Sequence, residues 1–224
     1  MMKNQEQVQN NVHAQASVGA GVAAVEEATA IGTYHVECWG PVDAQREDYI
    51  TLRDTLALAD PHSDVYQWLK RELDAIPLER KWEDTVCNLV TTVGKNNMLD
   101  NHLAGSAYTA AWFLGLISTT GYTTGPAVGD TMASHGGWAE DQNYAAATRP
   151  APSFSAASGG SKATSANVSF SMNATTTIKG CFLNSVSTKG GTTGTLYSAG
   201  LFTDGDQPVV NGNTLNVSYT SALT

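Results

Sequence analysis

Apolar and polar residues alternate with a period of two in several stretches of the chain, and this pattern predicts β-strands. The first stretch is Thr33–Trp39, in which Tyr34, Val36 and Cys38 fall on one face of an extended chain. The alternation returns in the C-terminal half over Ala166–Asn173 and Asn213–Thr220, and Thr175–Ser185 and Thr195–Phe202 are predicted as further strands between them. Strands therefore dominate the predicted structure.

The segment Lys81–Ile117 is predicted to form a strand, a short helix and a second strand. Trp82–Val90 has mixed residues on both of its faces, which predicts a strand partly covered on both sides. Lys95–Leu103 has apolar residues at helical spacing, and Gly105 is predicted to end that helix. Thr109–Ile117 is a mostly apolar run of strand length.

The segment Val42–Glu79 has a helical pattern instead. One apolar stripe is formed by Tyr49, Leu52, Leu56 and Ala59, and a second by Val65, Trp68, Leu69 and Leu73. Between them, Asp60 is predicted to cap the second helix, with Pro61 at its first position. We expect an α-helical hairpin inserted at the tip of a β-hairpin made by the first two strands, where insertions are tolerated.

Turn residues separate the short strands of the C-terminal half. Gly190–Gly194 is a glycine-rich turn, and Asn211-Gly212 predicts a tight hairpin between the flanking apolar residues. Short strands of antiparallel style with such turns predict a mainly β fold, an antiparallel β-sandwich of about seven or eight strands. Immunoglobulin-like and jelly-roll strand orders both remain open.

The N-terminal residues, 1–31, are predicted to stand apart from a sandwich domain that spans 32–224 and is interrupted by the helical hairpin at 42–79. Met1–Ser17 is polar and rich in Gln and Asn, and Val18–Ile31 is small and apolar. Two interpretations stay open: a disordered tail, or an extended arm that orders on a neighbouring subunit. In the second, the contact residues are Val18, Val22, Val25 and Ile31.

Charge and composition exclude several classes of function. The net charge of -9 argues against a nucleic-acid partner and against an anionic membrane surface. Charged residues make up 15% of the chain, against roughly 25% in an average protein, which suits surfaces that bury against other proteins. The three cysteines lack the spacing of a zinc site and are predicted to be free thiols. With no signal-peptide or membrane-span pattern, we expect the chain to fold in a cytoplasm.

Candidate chemistry was weighed at three places. Asp130, Ser134, His135 and Glu140 suggest a hydrolase, but they lie in no hydrolase motif, and Ser118–Gly137 is better interpreted as a loop anchored by Met132 and Trp138. A metal at His35, Glu37 and Cys38, or calcium at Asp204 and Asp206, rests on too few ligands. The sequence therefore predicts no catalytic, cofactor or metal site.

Several strings of the sequence resemble a family of tailed-bacteriophage virion proteins. They are KWEDTVCNLVTTVGKNNMLD, TAAWFLGLI, GDTMASHGGWAED, RPAPSF, KGCFLNSVSTKGGTTGTLYSAG and GNTLNVSYT. The resemblance runs from about Thr29 to the C-terminus. Family members pass between the strands that match Thr33–Trp39 and Lys81–Thr92 through a short turn, so the role of Val42–Glu79 is not implied by it.

The resemblance implies a non-enzymatic structural protein, a cement or decoration protein on the capsid exterior. Its expected partners are the major capsid protein and further copies of itself, as a dimer or trimer, after synthesis in the host cytoplasm. Trp39 and Trp68 are added as candidate contact residues. The alternative is a tail, neck or fibre component that binds the host surface, which exposed Trp39, Trp68 and Trp138 would favour if they cluster. An enzyme acting through Asp130, His135 and Glu140 is the third class.

Overall fold

The structure, a computed structural model, describes residues 30–42, 46–101 and 111–223. In these ranges the chain forms three helices and ten strands. The helices are α1 (Arg46–Leu58), α2 (Asp64–Ala75) and α3 (Thr92–Leu99). The strands are β1 (Ala30–Pro41), β2 (Leu78–Val90), β3 (Phe113–Ser118), β4 (Glu140–Asp141), β5 (Ser161–Ala163), β6 (Val168–Ser171), β7 (Thr176–Asn184), β8 (Leu196–Leu201), β9 (Gln207–Val209) and β10 (Thr214–Leu223).

Two antiparallel layers are joined by one shared strand. In the first layer β1 lies between β2 and β10, and β10 also pairs with β5 and β6. The last residues of β2, Leu89 and Val90, pair instead with β8, which leads into the second layer of β8, β7, β3 and β4. The predicted antiparallel β-sandwich is confirmed. An immunoglobulin domain keeps two separate sheets, whereas here β2 belongs to both.

The core lies between the two layers. Strand β1 alternates buried and less buried residues, so one of its faces points inward, as does one face of β10. The buried side chains of the first layer include Tyr34, Val36, Phe170, Val217 and Tyr219, and those of the second include Leu114, Leu116, Ile178 and Leu183. Burial of these apolar faces is the main stabilising contribution to the sandwich.

The second layer is buried on its outer face as well. There Ile117, Phe182 and Leu196 pack against Met132 and Trp138 of the loop between β3 and β4. The prediction that these two loop residues are anchors is confirmed. Cover on both faces explains why consecutive residues of β3, β7 and β8 are buried, instead of every second residue.

The helical hairpin lies where the sequence predicted it, between two strands that pair directly with each other. The ladder of β1 and β2 continues to Pro41 opposite Leu78, and Val42 N donates to Pro77 O at 3.3 Å beyond it. Helices α1 and α2 contact each other. The predicted cap was wrong: Ser63 caps α2, accepting from Tyr66 N at 3.1 Å. The Asp60 carboxylate accepts from His62 N and so closes the preceding turn instead.

Two further predictions differ from the structure at element boundaries. Ile31 belongs to β1, where it pairs with Ala222, because the strand ladder continues two residues beyond the predicted arm boundary. Helix α3 begins after Thr91, whose hydroxyl accepts from Gly94 N, earlier than the predicted Lys95. The residues beyond Asn101 that were expected to extend this helix lie outside the described ranges.

Two strand predictions are also wrong. Strand β2 is not covered on both faces: Asp84 and Val86 are buried while Glu83 and Thr85 are exposed, because only one of its faces meets the second layer. The Asn211-Gly212 turn makes no hairpin, since β9 pairs with β7 and β10 pairs with β1. This turn instead carries the chain from one layer to the other.

Candidate interaction surfaces

The sequence-predicted contact residues are not brought together by the fold. Val18, Val22 and Val25 lie outside the described residues. Ile31 is at the start of β1 and is 42% exposed, whereas Trp68 is on α2, beyond the opposite end of β1, and is 51% exposed. Trp39 is partly buried, and its Nε1 donates to the Glu37 carboxylate at 3.3 Å. The candidates thus divide between the two ends of one strand.

One apolar surface lies on α2. Val65 and Trp68 are one helical turn apart and both are largely exposed, while Leu69 points inward and is buried. The helix also carries charge on its exposed side, where Lys70 pairs with Asp74 at 2.6 Å. This hydrogen bond raises the pKa of Lys70 above its usual range. Val65 and Trp68 therefore form a two-residue apolar surface beside charged side chains, called the Trp68 ridge below.

The three tryptophans do not form an exposed cluster. Trp138 is buried in the second layer's outer core, where its ring lies 5.5 Å from that of Phe182. Trp39 is held against Glu37 on β1. Only Trp68 of the three is predominantly open to solvent.

A second apolar surface is an open cleft of about 740 Å³ at the other end of β1. Its walls come from several distant parts of the chain and include Met98, Trp112, Pro152, Phe154, Ala222 and Leu223. Polar groups in the cleft are engaged with each other: Tyr197 Oη and Ser221 Oγ are 3.0 Å apart. Burial raises the pKa of Tyr197. No local sequence pattern indicates this cleft, because its walls are distant along the chain.

The hydrolase candidates in the β3–β4 loop hold the loop together. The Asp130 carboxylate accepts from Trp138 Nε1 at 2.9 Å and from Ala127 N at 3.0 Å. His135 Nδ1 lies 3.1 Å from Thr131 O, and its ring lies 4.2 Å from that of Trp138. Asp130 and His135 therefore both contact the buried Trp138 side chain and stabilise its position in the loop.

Glu140 is also engaged, with a residue that the sequence analysis missed. Arg149 donates to it through Nε and Nη2, at 3.0 and 2.7 Å, and both side chains are almost fully buried. Tyr144 Oη lies 3.2 Å from Glu140 Oε1. Burial, followed by the nearby Glu140 charge, raises the pKa of Tyr144. Only the fold reveals the pair, since a lone arginine in the run RPAPSF carries no local signal.

A possible metal cluster on the outer face of the first layer is neutralised by an arginine. His35, Glu37 and Glu83 bring ligand atoms within 4.8 Å of one another, whereas Cys38 points to the buried face. Arg80 Nη1 donates to both carboxylates. Its hydrogen bond to Glu37, together with that from Trp39, lowers the pKa of Glu37. The arrangement is typical of a surface ion-pair network, in which the Arg80 guanidinium takes the position that a metal ion would need.

The remaining sequence candidates have structural partners too. Asp206 pairs with Lys179, and the backbone N–H of Asp204 donates to Asp84, so the predicted turn is built from fixed contacts. All three cysteines are free thiols, as predicted. Burial raises the pKa of Cys38 to about 12 and also raises that of Cys181, so both are poor nucleophiles at neutral pH.

Comparison with known proteins adds no relative. No protein-family model matches the chain, and no curated protein matches it significantly. None of the helices in the described ranges has the length and apolar character needed to cross a membrane. The two apolar surfaces and the resemblance of the sequence strings are therefore the features that bear on function.

Proposed function

We propose that this chain is a non-enzymatic structural protein of a tailed-phage virion, a cement or decoration protein on the outside of the capsid. The observation that carries the proposal is the placement of the two apolar surfaces. The Trp68 ridge follows the last residue of β1, and the cleft includes Leu223, the strand partner of the first residue, Ala30. The twelve extended residues of β1 span roughly 35 Å from its first residue to its last.

Two separated surfaces suit a protein that bridges neighbours. A clamp needs one contact region for each of two subunits, whereas an enzyme needs polar groups that converge. Here the polar candidates, Asp130, His135 and Glu140, are each held in structural contacts. Tryptophan is also among the residues that most often dominate binding energy in protein interfaces, and each surface has one, Trp68 and Trp112.

The proposed mechanism is linkage between binding and assembly. A protein that binds only the assembled shell stabilises that shell by mass action. Interfaces of about 1,600 Å² per contact, repeated over many copies, are sufficient for specific binding. The net charge of -9 is unfavourable near packaged DNA and favours the outer surface. The partners would be the major capsid protein and further copies of this chain, as a dimer or trimer.

The alternative is a neck, tail or fibre component, for which the exposed Trp68 of the inserted helical hairpin is the supporting observation. Counting copies in purified virions by quantitative mass spectrometry separates the two. Copies comparable in number to the major capsid protein support the cement function. Six or twelve copies support a neck or tail position, and absence from the particle would refute both.

A binding assay with heads that lack the protein tests the surfaces. We expect Trp68→Ala to lower affinity at least about tenfold, since exposed tryptophans are frequent hot spots. Val128→Ala is the matched control, because Val128 is also 51% exposed but lies in the β3–β4 loop. Deleting Met1 to Ala30 should leave a soluble protein that no longer attaches. Unchanged occupancy by that truncated protein would show that the arm is not a contact.

A further inference from the structure

The apolar cleft at the start of β1 has an open face in the described structure, and the chain itself supplies a segment that fits it. The cleft volume of about 740 Å³ is within the range of roughly 300–1,000 Å³ found for ligand pockets. Its exposed apolar walls include the ring of Trp112, which packs on Tyr197 at 5.1 Å, and that of Phe154. Apolar walls of this size are stabilised when an apolar occupant excludes water.

The N-terminal segment begins at the rim of this cleft. Ala30, the first described residue, pairs with Leu223, and Leu223 and Ala222 line the cleft. Residues 18–29, VGAGVAAVEEAT, precede Ala30 directly. At about 3.3 Å per residue they can extend up to roughly 40 Å, more than enough to cross the cleft.

Charge and side-chain size agree with this occupant. Among the described residues that line the cleft, Lys162 is the one charged side chain. Residues 18–29 carry two carboxylates, Glu26 and Glu27, and their other side chains are small. Small side chains lose little rotamer entropy when they are ordered. The two glutamates lie three and four residues before Ala30 at the rim.

We propose that the cleft binds residues 18–29 of the same chain, with Val18, Val22 and Val25 against its apolar walls and the Glu26–Glu27 pair toward Lys162. Attachment at Ala30 gives the segment an effective concentration in the millimolar range, which favours its own cleft over that of a second copy. This proposal concerns the free protein and does not depend on the virion function. On a capsid, a neighbouring subunit that binds the cleft would displace the segment, which would then be available for contact.

Disulfide trapping in the full-length protein tests the proposal. The exposed Cys87 is first replaced in a Cys87→Ser background. Val18→Cys, Val22→Cys or Val25→Cys is then combined with Ala157→Cys, an exposed residue of the cleft lining. After mild oxidation we expect at least one pair to form an intramolecular bond whose yield is independent of protein concentration. Mass spectrometry and non-reducing gels give the yield.

The matched control pairs the same segment cysteines with Ala133→Cys, an exposed residue of the β3–β4 loop that does not line the cleft. Equal yields for the two acceptor positions would overturn the proposal, since they would indicate an undocked segment. Crosslinked dimers that increase with concentration would overturn it as well, because a second copy would then supply the segment. No crosslinking to Ala157→Cys from any donor would also overturn the proposal, because Ala157 is part of the cleft lining.

A charge-reversal series tests the orientation. Lys162→Glu should lower the crosslinking yield about two- to fivefold at low salt, the range expected for an exposed ion pair. Adding Glu26→Lys and Glu27→Lys should restore it. A yield that does not respond to Lys162→Glu would overturn the proposed placement of the glutamates.

Discussion

Arg149 and Glu140 form a buried ion pair with two parallel hydrogen bonds, Nε to Oε1 at 3.0 Å and Nη2 to Oε2 at 2.7 Å. The guanidinium also donates to the carbonyl oxygens of Val186 and Gly191, each at 2.9 Å. The N–H of Gly190 donates to the Glu140 carboxylate at 2.6 Å. The ion pair thus connects the segment that contains Glu140 and Arg149 to the loop that contains Val186, Gly190 and Gly191. The glycine-rich turn of that loop covers the pair.

Replacing Glu140 by Gln should lower the free energy of unfolding by about 3–5 kcal/mol, because the Arg149 charge stays buried without a counter-charge. Urea denaturation measures the change. Glu79→Gln is the control, since Glu79 pairs with Lys81 at the surface and should contribute less than about 1 kcal/mol. A loss as small as the control's would contradict the structural role of Glu140 and would reopen its candidacy as a catalytic acid.

Gly180→Ala should also be strongly destabilising. A Cβ at Gly180 would collide with the carbonyl oxygen of Gly200 and with the Cα of Leu201 on the neighbouring strand. Backbone atoms cannot move aside as a side chain does, so we expect a loss of about 1–3 kcal/mol or more. Gly129→Ala has open space around it and should change stability by less than about 0.5 kcal/mol. Thermal unfolding of the two variants compares them, and equal melting temperatures would refute the prediction.

The buried phenols should make the fold sensitive to alkali. Burial raises the pKa of Tyr34, and raises that of Tyr219 from 10.0 to about 12. Because these groups ionise more readily in the unfolded chain, their stabilising contribution is complete below pH 10. It declines as pH rises from 10 towards 12, by about 1.4 kcal/mol per pH unit for each phenol.

Urea denaturation at a series of pH values between 9 and 12 measures this slope. Tyr219→Phe should give a shallower decline above pH 10, although its stability at pH 8 is lower for want of the phenol's hydrogen bonds to Ser198 and Asn88. The decisive measurement is the slope of the free energy of unfolding against pH, and not its absolute value at any one pH. Identical slopes in the two proteins would show that Tyr219 does not contribute to alkaline unfolding.

Local patterns predicted the strands and helices well where burial follows one face. Thr33–Trp39 and Ala166–Asn173 alternate in sequence, and β1 and β6 alternate in burial, so period and structure agree. The Asn211-Gly212 turn was misleading because turn chemistry does not determine which strand edges are available for pairing. Strand β9 pairs with β7, about 30 residues earlier in the chain.

The candidate surfaces were only partly visible in the sequence. Trp68 was found because it lies on a helical stripe, and the stripe's inward residue, Leu69, is buried beside it. The cleft was missed because no local pattern links Met98, Phe154 and Leu223. The same is true of Arg149, whose role depends on carbonyl groups of a turn more than 35 residues away. Tertiary contacts of this kind need the fold before they can be assigned.

The helical hairpin should be removable without loss of the sandwich. Val42 and Pro77 are joined by a backbone hydrogen bond, so residues 43–76 can be replaced by an Asn-Gly turn at the end of the β1–β2 ladder. The ladder itself stays intact, and α1 and α2 pack on each other. We expect a soluble protein with an unchanged near-ultraviolet circular dichroism signal from the buried tyrosines.

Deleting residues 121–137 of the β3–β4 loop is the matched control for this experiment. That loop covers Ile117 and Phe182 with the buried side chain of Met132, so its loss exposes the outer face of the second layer. Exposure of an apolar sheet face favours aggregation, and we expect insoluble or strongly destabilised protein. If removing residues 43–76 has the same effect, the helices are part of the folding unit, and the hairpin is not a separable attachment on which the Trp68 ridge is displayed.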